Sequence, residues 1–165
     1  MSEVKLHPIT AVVKNKSGVL SKISGLFARR GFNIDSLAVG ETQDPSYSRI
    51  SIVVKGGKEN LDQVIKQLNK LIEVIEVKDL SQCAHLETEL VLMEVKADEG
   101  KRSSIIELAE VFDCKIHDVA EDSLTLEITG SSEKIDSFQK LMNDFGITMM
   151  ARTGKVVLER SSLSK

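Results

Sequence analysis

No tryptophan occurs in the 165 residues, and aromatic residues make up only 4% of them. Phe32 and Tyr47 are too sparse to supply the base-stacking sheet face of an RNA-recognition motif. Only two cysteines are present, Cys83 and Cys114, far apart in the chain. That usage fits a reducing compartment. No apolar run approaches the ~18 residues that a membrane span needs. Met1 to His7 lacks a secretory apolar core, so a cytoplasmic protein with no membrane partner is expected. A Gly-x-x-x-x-Gly-Lys loop, a dinucleotide fingerprint and a nucleophile elbow are all missing. Ser17 and Ser21 have no activating histidine nearby in sequence.

Charge excludes another class. The formal net charge is −3, unevenly spread. Residues 1–80 carry 12 Lys+Arg against 9 Asp+Glu, and residues 81–165 carry 10 against 16. An acidic second half argues against a nucleic-acid footprint, which needs a clustered basic face. Cys114-x-x-His117 has the spacing of a metal pair, but on a strand those positions face opposite sides. Cys83-x-His85 lies in a presumed linker, and no second pair completes four ligands. Asp98-Glu99, Glu121-Asp122, Glu87 and Glu89 fall at expected turns and exposed strand positions, as a solvated acidic surface would. The residues favour a ligand-binding or interaction protein over an enzyme.

What is present is periodicity. His7 to Lys14 is β-branched and reads as a strand. Val19, Leu20, Ile23, Leu26 and Phe27 form a helical stripe. Asn33 to Glu41 is a second strand, Asp44-Pro45-Ser46 a turn, and Arg49 to Lys55 an alternating third strand. Leu61, Val64, Ile65, Leu68, Leu71 and Ile72 form a second helical stripe, and Ile75 with Val77 marks a fourth strand. The order then recurs. Glu89 to Ala97 is a strand, Ile105 to Phe112 a helix with Ser103 or Ser104 near its cap, and Lys115 to Ala120 a strand. Leu124, Leu126 and Ile128 alternate in another strand. Gly130-Ser131-Ser132 opens a helix that Gly146 stops, Ile147 to Arg152 is a strand, and Val156 to Leu158 extends the sheet. The expected class is α+β, with two ferredoxin-like β-α-β-β-α-β domains. The boundaries expected are 1–80, a linker at 81–85, and 86–165. Edge strands, and apolar residues on both faces of the first sheet (Leu37, Val39, Val53, Val54), point to a homodimer.

The stretch Lys14 to Leu37 is the most structured part of this pattern. Asn15-Lys16-Ser17-Gly18 opens the first helix, with Asn15 or Ser17 as its expected cap. Arg29 and Arg30 lie in the last turn, and Gly31 supplies the left-handed stop. A glycine beside a helix N-terminus lets a small anion approach free N–H groups at the positive dipole end.

The runs NKSGVLSKISGLFARRGFNIDSLAVGET and DPSYSRISIVVKG resemble the regulatory small subunits of acetolactate synthase (acetohydroxyacid synthase). The likeness continues through QLNKLIEVIEV, AHLETELVLMEVKA and KIHDVAEDSLTLEITGSSEKIDSF to ARTGKVVLER, nearly the whole chain in order. This resemblance implies an N-terminal ACT domain, here residues 1–80. It implies a non-catalytic chain that binds a branched-chain amino acid, chiefly valine, between two ACT domains. It further implies a catalytic large subunit as partner, activated and feedback-inhibited through that site. Thiamine diphosphate, magnesium and FAD are then expected in the partner and no cofactor in this chain. Carried over, Asn15, Lys16, Ser17, Gly18, Val19 and Leu20 would hold the amino acid, with Asn33 and Ile34 of the other protomer. Related loops often have proline where this chain has Ser17, so the loop's φ is less constrained here. The alternative is another amino-acid-responsive ACT regulator, for example of transcription.

Overall fold

The computed structural model describes residues 6–161. Two compact units divide them. In the first, the elements are β1 (Leu6–Lys14), α1 (Val19–Arg29), β2 (Ile34–Glu41), β3 (Tyr47–Lys55), α2 (Lys58–Leu68) and β4 (Val74–Asp79). The sheet order is β2-β3-β1-β4, all antiparallel. This is the expected β-α-β-β-α-β order. Strand alternation puts Ile9, Ala11 and Val13 of β1 and Ile50, Ile52 and Val54 of β3 on one face. There they pack with Val19, Ile23, Leu26 and Phe27 of α1 and Leu61, Val64 and Leu68 of α2. The helical stripe of α1 is thus the core face that its spacing indicates. Gly31, at φ 70°, ends that helix. Its N–H donates to Ala28 O at 3.1 Å and the Phe32 N–H to Phe27 O at 3.0 Å, the paired bonds of a Schellman stop. Phe32 then meets Phe27 edge-on, with ring centroids 6.3 Å apart. The second helix is shorter than its stripe, because Ile72 is 85% exposed and lies beyond the helix end at Leu68.

The second unit holds most of β5 (His85–Lys96), then α3 (Arg102–Val111), β6 (Lys115–Val119), β7 (Ser123–Gly130), α4 (Ser132–Asn143) and β8 (Ile147–Arg152). Its strand order is β6-β7-β5-β8. Val91, Met93 and Val95 of β5 alternate into a core with Leu124, Leu126 and Ile128 of β7. Ile105 and Ala109 of α3 and Ile135, Phe138 and Met142 of α4 close it. Ser131 caps α4, accepting from the Lys134 N–H. By contrast α3 has Lys101 at its cap position and no side-chain cap, so Ser103 and Ser104 sit inside its first turn. The opposite face of this sheet is open. Leu92 and Met149 are both more than 40% exposed there and line a shallow depression of about 510 Å³.

Contacts group the end of the chain differently from its order along the sequence. The described residues from Gly154 onward belong with the first unit, and the second takes Glu87–Thr153. The tail strand β9 (Val156–Glu159) has its burial within the first unit. Val157 is fully buried and its N–H donates to Ser51 Oγ on β3 at 3.1 Å. The reason is that the first sheet has two faces to cover and helices on only one. Thr10, Ser51 and Val53 point away from the helices yet are each at most 3% exposed. The presumed linker and the residue before it are also tied down. Leu80 is fully buried and donates to Pro8 O at 2.9 Å. Ser81 Oγ donates to Asp79 Oδ1 and stands 3.1 Å from His7 Nδ1.

Phe138 is fully buried and packs on Phe112, centroids 5.1 Å apart. Phe138→Ala is expected to cost the second unit about 3–5 kcal/mol. Leu92→Ala, on the open face, is expected to stay within about 0.5 kcal/mol of wild type. Urea unfolding followed by amide signals of the second unit measures both.

Candidate functional site

The loop after β1 is built by its neighbours. The Lys14 N–H donates to Glu73 O, and the Asn15 N–H to Ser46 O, both at 2.8 Å. Asn15 Nδ2 spends its two hydrogens on Glu41 Oε1 at 3.0 Å and Pro45 O at 2.9 Å. Asn15 therefore does not cap α1, and neither does Ser17. The cap position belongs to Gly18, at φ 84° and ψ −11°, with no side-chain cap. A Cβ there would meet no atom within 4 Å, so the demand on Gly18 is its left-handed backbone and not space.

The result is an uncapped helix start open to solvent. Among the described residues, no backbone acceptor faces the N–H groups of Gly18, Leu20 or Ser21, and no acidic residue occupies the first turn. Lys16, Ser17 and Gly18 are exposed. Val19 packs into the core at 5% exposure, which leaves Leu20, 41% exposed, as the apolar surface of the loop. Nearby, Lys22 pairs with Glu73, and that hydrogen bond holds the Glu73 carboxyl below its ordinary range. Glu41 and Pro45, which shape the loop, were not among the residues expected at the site. No local pattern marks them, because both reach Asn15 from across the sheet.

Asn33 and Ile34 stand elsewhere. Asn33 is exposed, and Ile34 is half-buried against the first core. Ile34 is opposite Val54, which is opposite His7, whereas Glu41 is opposite Ser48 and Lys14 is opposite Tyr47. The Asn15–Gly18 loop and Asn33 therefore sit at opposite ends of one sheet. The seven residue steps from Ile34 to Glu41 separate them by about 24 Å along β2. Within one chain the eight expected residues form two groups that do not converge.

The other constellations are structural. His117 Nε2 lies 2.6 Å from Glu127 Oε2 across the β6–β7 pair. His117, with Lys115, holds that carboxyl below its usual range. Cys114 packs against the second core instead, and burial pushes its thiol up to about 11. Among the described residues no three His, Cys, Asp or Glu side chains gather as a metal site. Glu89 corrects the expectation of an exposed carboxylate. It is 5% exposed, accepts from Ser132 Oγ and pairs with Arg152, which also reaches Asp136 at 2.7 Å. Asp98 Oδ1 accepts from the Lys101 N–H at the start of α3.

Comparison with known proteins covers both units. Residues 9–76 match the family model described as an AHAS small subunit-like ACT domain, and residues 88–161 match that of the small subunit of acetolactate synthase. A relative named "Probable acetolactate synthase small subunit" from Methanothermobacter thermautotrophicus is 47% identical, over 97% of this chain and 96% of its own. The acetolactate synthase small subunit of Aquifex aeolicus is 42% identical, over 96% and 83%. The crystal structure of the acetolactate synthase small subunit from Thermotoga maritima superposes with a TM-score of 0.88 at 40% identity. That match covers 95% of this chain and 98% of the other.

The two thiols should separate chemically. Cys83 is exposed and Cys114 is not. With iodoacetamide at pH 8, Cys83 is expected to be alkylated first, since only a thiolate reacts and burial keeps Cys114 protonated. The raised thiol also fixes the sign of a pH effect. The folded state holds that proton from 9.0 up to about 11, so the second unit loses stability as pH rises through that window. Peptide mapping of the alkylated protein and an alkaline denaturation series measure the two effects.

Proposed function

The chain belongs to the family of acetolactate synthase small subunits, and on that premise we propose a specific regulatory site and ligand. As a small subunit it is the regulatory and not the catalytic chain of the enzyme complex. In this reading it binds valine, or another branched-chain amino acid, between two copies of its ACT domain. Binding there feedback-inhibits the catalytic large subunit, which the chain otherwise activates. Thiamine diphosphate, magnesium and FAD chemistry belongs to that partner.

The observation that carries the reading is the placement of the two residue groups at opposite ends of β2. This strand is an edge, bonded only to β3 in the sheet path. If two copies join antiparallel along β2 about a two-fold axis, the Asn33 end of one strand meets the Glu41 end of its partner. Glu41 is the residue to which the Asn15 side chain is bonded. Each two-fold pairing thus makes two pockets from four half-sites, and neither half is a pocket without the dimer.

The chemistry of a free amino acid fits the two halves. Its carboxylate suits the unpaired N–H groups at Gly18, Leu20 and Ser21, where the helix dipole is positive. The carbonyl of Asn33 suits the ammonium. Leu20 and Ile34 offer the apolar surface for the side chain. A pocket of this kind separates ligands by only ~1–3 kcal/mol per methylene, so valine, leucine and isoleucine compete closely. Because both copies contribute, ligand and dimer stabilise each other by mass action.

Gly18→Asp tests the assignment. Aspartate tolerates a left-handed backbone better than most residues, and open space surrounds Gly18, so the variant should fold. Its carboxylate would stand where the ligand carboxylate binds. Calorimetry is expected to show valine affinity falling more than about tenfold, or about 1.4 kcal/mol. Mixed with the large subunit, the variant should still raise activity yet lose valine inhibition. Inhibition retained at wild-type valine concentrations would displace the site from this loop. No response of the wild-type complex to any branched-chain amino acid would end the reading.

A further inference from the structure

The strand that carries Asn33 and Ile34 is irregular where they join it. Ile34 is opposite Val54, but Ser36 is opposite Val53. Asp35 is therefore an extra residue, a bulge that bends β2 and sets the direction of the residues before it. Bulges on edge strands have few restraints, since the strand has a partner on one side only. Here the restraint comes from two places. On one side Asp35 pairs with Lys55, Oδ1 to Nζ at 2.5 Å. On the other, the C-terminal segment crosses β2 immediately past the bulge.

That crossing is close and specific. The Lys155 N–H donates to Ser36 Oγ at 2.6 Å. Gly154 lies on the backbone of Leu37. A Cβ added to Gly154 would stand 2.2 Å from Leu37 O, 2.5 Å from its carbonyl carbon and 2.8 Å from its nitrogen. These are main-chain atoms and cannot swing aside, so only glycine permits this approach. Three residues on, Val157 is buried and bonded to Ser51 Oγ of β3. The segment is therefore anchored on β3 while it presses on β2.

We infer that Gly154 to Val157 is a strap whose function is to hold the β2 bulge and so aim Asn33 and Ile34 at the amino acid, with Gly154 and Ser36 as positioning residues. The inference rests on the proposed effector site, but its mechanical part stands apart from it. The strap follows Thr153, the last residue of the second unit. The chain leaving that unit thus bears directly on the effector strand, and the second unit has a covalent route to the affinity of the first.

Three variants test the strap. Gly154→Ala lifts it from Leu37, Ser36→Ala removes the acceptor for Lys155, and Ser36→Thr keeps a hydroxyl. In hydrogen exchange without ligand, peptides spanning 33–37 should exchange several-fold faster in the first two variants. Peptides of β1 and β4 should exchange as in wild type. In calorimetry the same two variants should lose about fivefold to tenfold in valine affinity, the worth of one hydrogen bond or slightly more. Ser36→Thr should return both readings toward wild type. Should Gly154→Ala fail to fold, Ser36→Ala carries the comparison, since it removes no core group. Faster exchange at 154–159 with unchanged exchange at 33–37 overturns the strap's hold on β2. Faster exchange at 33–37 with unchanged valine affinity overturns its role in aiming the site. If wild type binds no branched-chain amino acid, the effector reading falls, while the exchange data still decide whether the strap holds the bulge.

Discussion

β2 is hydrogen-bonded within its sheet on one side only, and the proposed effector site depends on that. An edge strand exposes a row of unpaired N–H and C=O groups, which another chain can complete. The register of β2 against β3 puts Ile34 at one end of the sheet and Glu41 at the other. Residues that look like one site in sequence, because Asn15 and Asn33 are close along the chain, are separated by the length of a strand. The proposed two-fold axis along that edge would reverse the separation, since it would set unlike ends side by side. The same free edge makes the strand deformable, which is why a bulge and a crossing segment matter there.

The two units share an order of elements but not a solution for their second sheet face. In the first, the chain's own tail lies over β2 and β3, and Thr10, Ser51 and Val157 disappear from solvent. Serine hydroxyls at 36 and 51 receive the tail's N–H groups, so the covering strand is not left with unsatisfied donors. In the second, the corresponding face keeps Leu92 and Met149 in contact with water. A buried carboxylate in the second unit is likewise matched. Glu89 is almost fully buried, and its two bonds to Ser132 and Arg152 offset the desolvation that an unpaired carboxylate would suffer.

The sequence by itself determined the β-α-β-β-α-β order of both units, the faces of α1 and the stop at Gly31. These depend on spacing along the chain. The period of Val19, Ile23, Leu26 and Phe27 can be counted, and a left-handed residue after a helix calls for glycine. The family was legible for a related reason, since long ordered runs such as ARRGFNI carry it. Tertiary structure alone decided where Gly18 stands as cap, because Asn15 turns to Glu41 and Pro45, partners that no local pattern names. It also decided that Glu89 is buried, that α3 starts before Ser103 and Ser104, and that residues from Gly154 onward return to the first unit. Gly154 looks like any loop glycine until the backbone of Leu37 lies against it. Periodicity reports which side of an element is apolar, and contacts between residues 36 and 155 have no period. They arise only when two distant stretches, each incomplete in its hydrogen bonds or its burial, are brought to the same sheet.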